Sequence, residues 1–297
     1  MNGIPFFAAL LFAPLLSGII NRVKAVFAGR RGPPLLQPYH DMFKLLRKGA
    51  VYSRTTGGVF RAGPVVGLAA VLAALMIVPW GGARSAVSFP GDFVMMVCLL
   101  GLLRFLTVIA ALDTGSSFEG MGASREVTFS ALAEPALLLC LAALARQSQA
   151  LSLSDIFADL PAGVWTNAVA ALALVAAALF VVCLAENARI PVDDPNTHLE
   201  LTMIHEVMVL DHSGPDLAFI FYGSALKLWL FEALLVGVLS SGTGQGNILF
   251  WIGGMAGLAV VIGVVESAMA RLRLSRIAPL LVGAGVCSLL ALLLVMR

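Results

Sequence analysis

Residues 165–201 read WTNAVAALALVAAALFVVCLAENARIPVDDPNTHLEL, a long apolar run that ends directly in a dense group of charged side chains. The apolar part, 165–187, is long enough to cross a bilayer, which takes about 20 residues. Because charge is costly beside a membrane core, such side chains face a water-filled cavity, a partner or one another. The stretch therefore predicts a transmembrane helix followed by a functional polar loop. The charged residues of the stretch are Glu186, Arg189, Asp193, Asp194, His198 and Glu200.

The composition predicts an all-α integral membrane protein with a single transmembrane domain over residues 1–297. The chain is 60% apolar and 12% charged, whereas soluble domains average about 25% charged residues. The net charge of +2 is too small to indicate nucleic-acid binding. We interpret the first apolar run as a retained helix, because it lacks a basic leader and a small-residue cleavage site. Eight apolar runs are predicted to span the bilayer, near residues 4–22, 62–80, 92–112, 126–146, 165–187, 217–239, 247–267 and 276–296.

The distribution of Lys and Arg predicts the orientation of the spans. These residues concentrate in the segments after the first, third, fifth and seventh spans, most densely in residues 22–61. The other side carries Arg84, Arg146 and Arg297. Since cytoplasmic loops are rich in Lys and Arg, we expect the odd-numbered loops in the cytoplasm and both termini on the outer side. Polar or Gly- and Pro-containing connections, such as 152–161, are expected between the spans.

The first cytoplasmic segment contains a predicted amphipathic helix. Residues 37–48 read QPYHDMFKLLRK, which places apolar and charged side chains on opposite helical faces. Pro38 suits a first helical turn. Two interpretations remain open for this helix: a basic anchor at the membrane surface, or a docking surface for a partner above the membrane.

Several ionisable residues lie within the predicted spans or at their ends. A charge at the bilayer centre costs from about 2.5 to more than 10 kcal/mol, so this set requires pairing or water. A polar axis that relays protons would explain the set, and so would static pairs that join the helices. The residues concerned are Arg104, Glu134, Glu186, Lys227, Glu232 and Glu266.

No cofactor is expected to bind this chain. His198, His205 and His212 recur at seven-residue spacing, but on a helix that spacing separates the rings by about 10 Å, too far for one metal ion. Cys98, Cys140, Cys183 and Cys287 lie in separate apolar runs, as small buried hydrophobes do; the sequence offers no metal-binding pair. Phosphate-loop and nucleophile-elbow motifs are also absent from the sequence, so we expect no group-transfer chemistry by this chain alone.

Five segments together resemble one membrane-protein family. Residues 30–33 (RRGP) and 37–45 (QPYHDMFKL) resemble the first cytoplasmic loop of the heel subunit of complex I, respiratory-chain subunit 1. Residues 122–134 (GASREVTFSALAE) resemble its fourth helix, and 185–201 its long loop after the fifth. Residues 266–273 (ESAMARLR) are similar to the segment before its last helix. The resemblance covers nearly the whole chain in order, and implies eight helices.

Within that family, residues 112–126 (LDTGSSFEGMGASRE) resemble the hydrogenase branch, which includes formate hydrogenlyase and membrane-bound group 4 [NiFe]-hydrogenases. The resemblance implies a subunit of a bacterial or archaeal cytoplasmic membrane that anchors a peripheral arm with iron–sulfur and [NiFe] subunits and joins it to antiporter-like membrane subunits. Candidate proton- or ion-path residues are Glu134, Glu186, Asp193, Glu200, Lys227, Glu232 and Glu266. Candidate docking residues are Arg30, Arg31, Gln37, Asp41, Lys44, Arg125, Arg189, Arg271 and Arg273.

Three departures from the family pattern disfavour a quinone site. Residues 196–198 (NTH) replace an acidic run, 211–214 (DHSG) replace Glu-Tyr-Ser-Gly after extra residues, and 275–276 (SR) replace Asp-Gln. These regions shape the quinone chamber of complex I. The alternatives are a complex I heel subunit with a quinone site, the equivalent subunit of a non-hydrogenase complex with antiporter-like subunits, and a free-standing transporter.

Overall fold

The computed structural model describes residues 4–159, 168–194, 203–240 and 248–296, and these residues form a helical bundle without β-strands. Eight of the helices are long and apolar enough to cross a membrane, namely all except α2 and α6. The predicted all-α membrane fold is confirmed. In chain order the elements are α1 (Ile4–Phe27), α2 (Gln37–Leu46), α3 (Gly58–Ile77), α4 (Asp92–Asp113), α5 (Ser117–Ser148), α6 (Leu153–Asp159), α7 (Val169–Glu186), a 3₁₀ turn (Glu206–Val209), α8 (Gly214–Leu239), α9 (Ile248–Ala268) and α10 (Leu274–Met296).

Several helix ends differ from the predicted spans, for one local and one tertiary reason. Helix α3 ends at Ile77, not at residue 80, because Val78 precedes a proline and takes the extended conformation that this position favours. Helix α5 begins well before residue 126 because its first turns are buried against the 3₁₀ turn. Any Cβ at Gly122 would collide with the side chain of Val207 there. The longer α5 carries Glu126 inside the helix rather than at its start.

The connection predicted at 152–161 contains the short helix α6. The buried carboxylate of Asp92, from the start of α4, accepts the backbone N–H of Leu153 at 2.7 Å and the hydroxyl of Ser152 at 2.8 Å. The hydrogen-bond acceptor for the first backbone N–H of α6 therefore comes from a segment that is distant in the sequence. Local sequence could not indicate this helix.

Helix α8 is the central helix of the bundle and contacts α1, α3, α7 and α9. Every residue from Ala225 to Val238 is buried, as expected for a helix that is apolar on all sides. Around it, α3 packs on α4, α1 on α9, and α10 on α5 and α7. Lys227 and Glu232 interrupt the apolar stretch of α8, and both are buried.

Two tyrosine hydroxyls, from α2 and α8, bind backbone carbonyls of α1 near Pro14, where the helical hydrogen-bond pattern is interrupted. Pro14 cannot donate a hydrogen bond to the carbonyl of Leu10, and the hydroxyl of Tyr222 donates to that carbonyl at 2.9 Å. The hydroxyl of Tyr39, from α2, donates to the neighbouring carbonyl of Leu11. The predicted amphipathic helix is thus present as α2. It lies on the bundle surface with no residue fully buried.

Candidate functional site

One arginine holds three carboxylates together inside the bundle. The Nη2 atom of Arg104, in α4, lies 2.6 Å from Glu186 Oε1 at the end of α7. Its Nε atom lies 3.2 Å from Glu126 Oε1 in α5, and its Nη1 atom donates to Glu134 farther along the same helix. A guanidinium stays charged and presents five donors in a rigid plane. A single fixed positive charge therefore faces three acids from two helices.

Further ion pairs extend this cluster at both ends. On one side, Lys227 Nζ of α8 lies 2.9 Å from Glu186 Oε2. On the other side, His205 Nε2 lies 3.1 Å from Glu126 Oε2, and its Nδ1 lies 3.4 Å from Asp193 Oδ2. The residues form one continuous sequence of contacts, which we call the charged chain. In order it comprises Lys227, Glu186, Arg104 with Glu134, Glu126, His205, Asp193 and Arg271.

The loop end of the charged chain shifts the pKa of its titratable groups. Burial alone would raise the pKa of Asp193, but His205 and then Arg271, at 2.9 Å, outweigh burial and lower it. Burial alone would lower the pKa of His205, but Glu126 and Asp193 outweigh it and raise this pKa above 6.5. His205 therefore holds a proton more readily than a free imidazole does, in a position between two acids.

Glu266 and Glu232 lie apart from the charged chain. Glu266 Oε2 is 2.8 Å from Lys24 Nζ, and its Oε1 is 3.4 Å from Arg189 Nη1, so the three residues form a separate group. Neither carboxylate oxygen of the fully buried Glu232 has a hydrogen-bond partner among the described residues. Buried acids in native structures normally have such partners.

A cavity of about 490 Å³ opens beside the charged chain. That volume lies within the usual range for ligand pockets, about 300–1,000 Å³. Part of its wall is apolar and includes Leu103, Phe219 and Phe221. The polar wall presents Arg104, Glu126, Glu186, Lys227, His205 and Glu206. The charged chain is therefore in contact with a space large enough for water or a small ligand.

Only some of the predicted proton-path residues belong to the charged chain. Four of them, Glu134, Glu186, Asp193 and Lys227, belong to the charged chain. Glu266 pairs elsewhere, and the carboxylate of Glu232 has no hydrogen-bond partner within the described part of the chain. Glu200 lies outside the described residues. The sequence thus predicted half of the charged chain.

The predicted docking residues differ in the solvent exposure of their side chains. Arg125 donates to the carbonyl of Met203 at 2.8 Å, while Arg189 and Arg271 pair with internal acids. Gln37, half-buried on α2, donates to Asp41 at 2.8 Å. The residues with exposed side chains are Arg30, Arg31, Asp41, Lys44 and Arg273.

Four residues of the charged chain were absent from the predicted path: Arg104, Glu126, His205 and Arg271, the last of which was predicted for docking instead. The sequence marks Arg104 as an intramembrane charge, but not as the group that joins three acids. Glu126 and Glu134 are eight residues apart, close to two helical turns, and this spacing was a usable signal. His205 was marked only by its seven-residue spacing from His198 and His212, and it lies in a loop whose course the sequence does not specify.

The described residues contain no group of three or more His, Cys, Asp or Glu that could hold a metal ion. The cysteines are free thiols, and Cys140 and Cys183 are buried as predicted. Cys98 is exposed instead, on a face of α4 that no described helix covers, and Cys287 is only half-buried.

Known proteins with similar sequences place the fold in a family. The family described as NADH dehydrogenase matches residues 2–296. The chain belongs to this family, that of complex I subunit 1. The predicted resemblance is therefore confirmed.

Two relatives from Escherichia coli (strain K12) indicate a branch of the family. Formate hydrogenlyase subunit 4 is 34% identical over 292 residues, which cover 94% of this chain and 92% of the relative. Hydrogenase-4 component C is 34% identical over 227 residues, which cover 76% of this chain and 70% of the relative. A subunit of the NADH-quinone oxidoreductase of Anaplasma phagocytophilum (strain HZ) is more distant, at 28% over 236 residues, which cover 73% of this chain and 68% of the relative.

A solved structure has the same fold. It belongs to the membrane-bound sulfane sulfur reductase, an archaeal respiratory membrane complex, and matches with a TM-score of 0.77 over 96% of each chain. At 19% identity, this likeness supports the fold alone. Together with the eight apolar helices, these findings make the chain a multi-pass membrane protein of a family whose relatives are subunits of larger complexes.

Proposed function

We propose that this chain is the membrane-anchor and ion-coupling subunit of a complex of the formate hydrogenlyase or [NiFe]-hydrogenase type. The observation that carries the proposal is the charged chain, whose contacts run from the cavity wall to the side of the bundle at Glu134. The 34% identity to formate hydrogenlyase subunit 4 supports the type of complex.

The position of Glu134 supports a link to another membrane subunit. Its side chain is 38% exposed although it lies within a membrane-spanning helix, whereas Arg104 beside it is buried. Phe105, which follows Arg104, and Pro135, which follows Glu134, are also exposed. Since a charge facing lipid is costly, we propose that a partner with polar groups, such as an antiporter-like subunit, covers this side.

A relay explains the charged chain better than helix stabilisation does. Replacement of buried ion pairs by apolar residues is often neutral or stabilising, so pairing alone gives little reason to bury this set. His205 and the acids around it contact one another at hydrogen-bonding distance or slightly more. Titratable groups so arranged can pass protons in sequence when water completes the gaps.

The exposed basic residues support a docking role on the opposite side of the membrane from the termini. Arg30 and Arg31 follow α1, and Arg273 precedes α10, so they belong to loops on the predicted cytoplasmic side. We propose that this face holds the peripheral arm, whose subunits carry the iron–sulfur clusters and the [NiFe] centre. The complex would lie in the cytoplasmic membrane of a bacterium or archaeon.

A second candidate function is that of a complex I heel subunit with a quinone site. The cavity favours it, because its apolar wall and charged wall together suit an amphipathic molecule. The sequence departures at 196–198, 211–214 and 275–276 argue against it. Quinone-dependent turnover by the purified complex would favour this second function over the first.

Identification of the soluble subunits that co-purify with this chain tests the proposed function. A tagged chain should bring down iron–sulfur subunits and a [NiFe]-hydrogenase-like large subunit, identified by mass spectrometry. Co-purification of a different soluble enzyme would instead favour the equivalent subunit of a non-hydrogenase complex. Isolation of a stable and active single chain would favour a free-standing transporter.

Reversal of the charge at Arg30 and Arg31 is expected to release the peripheral arm. Both side chains are exposed, so the double change to Glu should leave the bundle folded and remove attraction to an acidic partner surface. Immunoblots of salt-washed membranes would measure the retained arm. The change Arg84→Glu, on the other predicted side, is the control, and equal retention in both variants would contradict the docking role.

A further inference from the structure

Glu206 is an acid on the cavity wall that does not belong to the charged chain. It is the first residue of the 3₁₀ turn, directly after His205, and its half-buried side chain lines the cavity. The wall acids Glu126 and Glu186 are both held by Arg104. Glu206, by contrast, forms no ion pair or side-chain hydrogen bond with any residue in the described part of the chain.

We propose that Glu206 is the group that exchanges protons between water in the cavity and the His205–Glu126 pair. This assignment rests on the proposed function and adds to it the cavity end of the proton path. Exchange with water requires an acid that water can reach and that no cation holds ionised. Glu206 meets both conditions, whereas Glu126 and Glu186 are each paired with Arg104.

The surroundings of Glu206 suit such exchange. The 3₁₀ turn packs on α4 and α5, which present Arg104 and Glu126 to the cavity. The loop after α7 places the negative charges of Asp193 and Asp194 near Glu206. Burial, followed by repulsion from Asp193 and Asp194, raises the pKa of Glu206 to about 7, and His205 only partly opposes this. Both the protonated and the ionised forms are therefore populated at neutral pH.

Each transfer conserves protons without any other reactant. Water in the cavity gives a proton to the Glu206 carboxylate, and the carboxyl group then gives it through cavity water to the His205–Glu126 pair. Only O–H and N–H bonds form and break. Because the donor must be protonated, proton delivery is expected to fall as pH rises through about 7, the pKa of Glu206.

The test uses the intact complex in inverted membrane vesicles. The initial rate of proton uptake into the vesicles, driven by the redox reaction of the complex, is measured across pH. We expect Glu206→Gln to lower this rate on the order of tenfold and to remove the dependence near pH 7, because an amide cannot carry the proton. The effect stays below the usual range of about 10²-fold and more, since cavity water partly substitutes.

A conservative variant and a control make the outcome decisive. Glu206→Asp should keep the rate and move the midpoint to lower pH, since the intrinsic pKa of Asp is about 0.4 lower. If Glu206→Gln does not assemble, the pH midpoint of proton uptake in Glu206→Asp is the deciding measurement. An unchanged midpoint would assign the titration to another group and overturn the proposal. The control Asp155→Asn removes an acid near the opposite end of the bundle, paired with Arg84 at 3.2 Å, and should change neither rate nor midpoint.

The same vesicles separate this assignment from the proposed function. If Glu134→Gln abolishes proton uptake while Glu206→Gln retains the wild-type rate and pH profile, only the role of Glu206 is overturned. If both variants pump as the wild type does, the proton path itself is overturned. If the soluble partner is not a hydrogenase, the measurement runs with the electron donor of that partner and still tests Glu206.

Discussion

Replacement of Arg104 by Met is expected to destabilise the subunit by about 3–5 kcal/mol, the usual cost of removing one partner from a buried ion pair. Methionine fills a similar apolar volume but leaves Glu126, Glu134 and Glu186 without their shared cation. Lys227 still pairs with Glu186, so the uncompensated charge falls mainly on Glu126 and Glu134. We expect this variant to be lost from the purified complex, or to lower its melting temperature markedly.

Two further variants test whether charge, rather than packing, causes that loss. The exposed pair of Arg84 and Asp155 is worth less than about 1 kcal/mol, so Arg84→Met should leave assembly unchanged. Adding Glu126→Gln to Arg104→Met removes one of the opposing charges and should restore part of the stability. If Arg104→Met assembles with the wild-type melting temperature, Arg104 is not the central cation of the site.

The sequence predicted the fold well because membrane spans depend on local composition. Apolar runs of about 20 residues stand out wherever they occur, whereas the helix ends also depend on local breakers and on neighbouring elements. Ser117 became the start of α5 because the 3₁₀ turn packs against that segment. Helix α6 formed because Asp92, a residue from another helix, accepts its first N–H. Both depend on tertiary contacts, which composition does not encode.

The site was only partly predictable for the same reason. The cost of intramembrane charge singled out Glu134, Glu186 and Lys227 without knowledge of their partners. The central role of Arg104 requires three helices to meet at one point, and helix packing decides that. His205 enters the site through an irregular loop between α7 and α8, where no periodicity indicates which way a side chain points.

Replacement of Glu134 by Gln is expected to lower ion-coupled turnover on the order of 10²-fold while the complex assembles normally. Glutamine can still accept a hydrogen bond from Arg104, and Glu126 and Glu186 continue to neutralise that cation. The amide cannot take up a proton, so transfer along the proposed path, from the charged chain to a partner subunit, stops at this side chain. Proton uptake into inverted vesicles, compared with dye reduction by the peripheral arm, measures the coupling.

A matched acid on the same helix provides the control for Glu134→Gln. Glu119 is buried near the start of α5 and accepts the backbone N–H of Asp211 at 3.2 Å, outside the charged chain. Since glutamine can accept the same bond, Glu119→Gln should keep proton uptake and dye reduction at the wild-type ratio. Full proton uptake by an assembled Glu134→Gln complex would leave static pairing as the explanation of the charged chain. In that case the partial exposure of Glu134 would indicate only where a partner subunit binds.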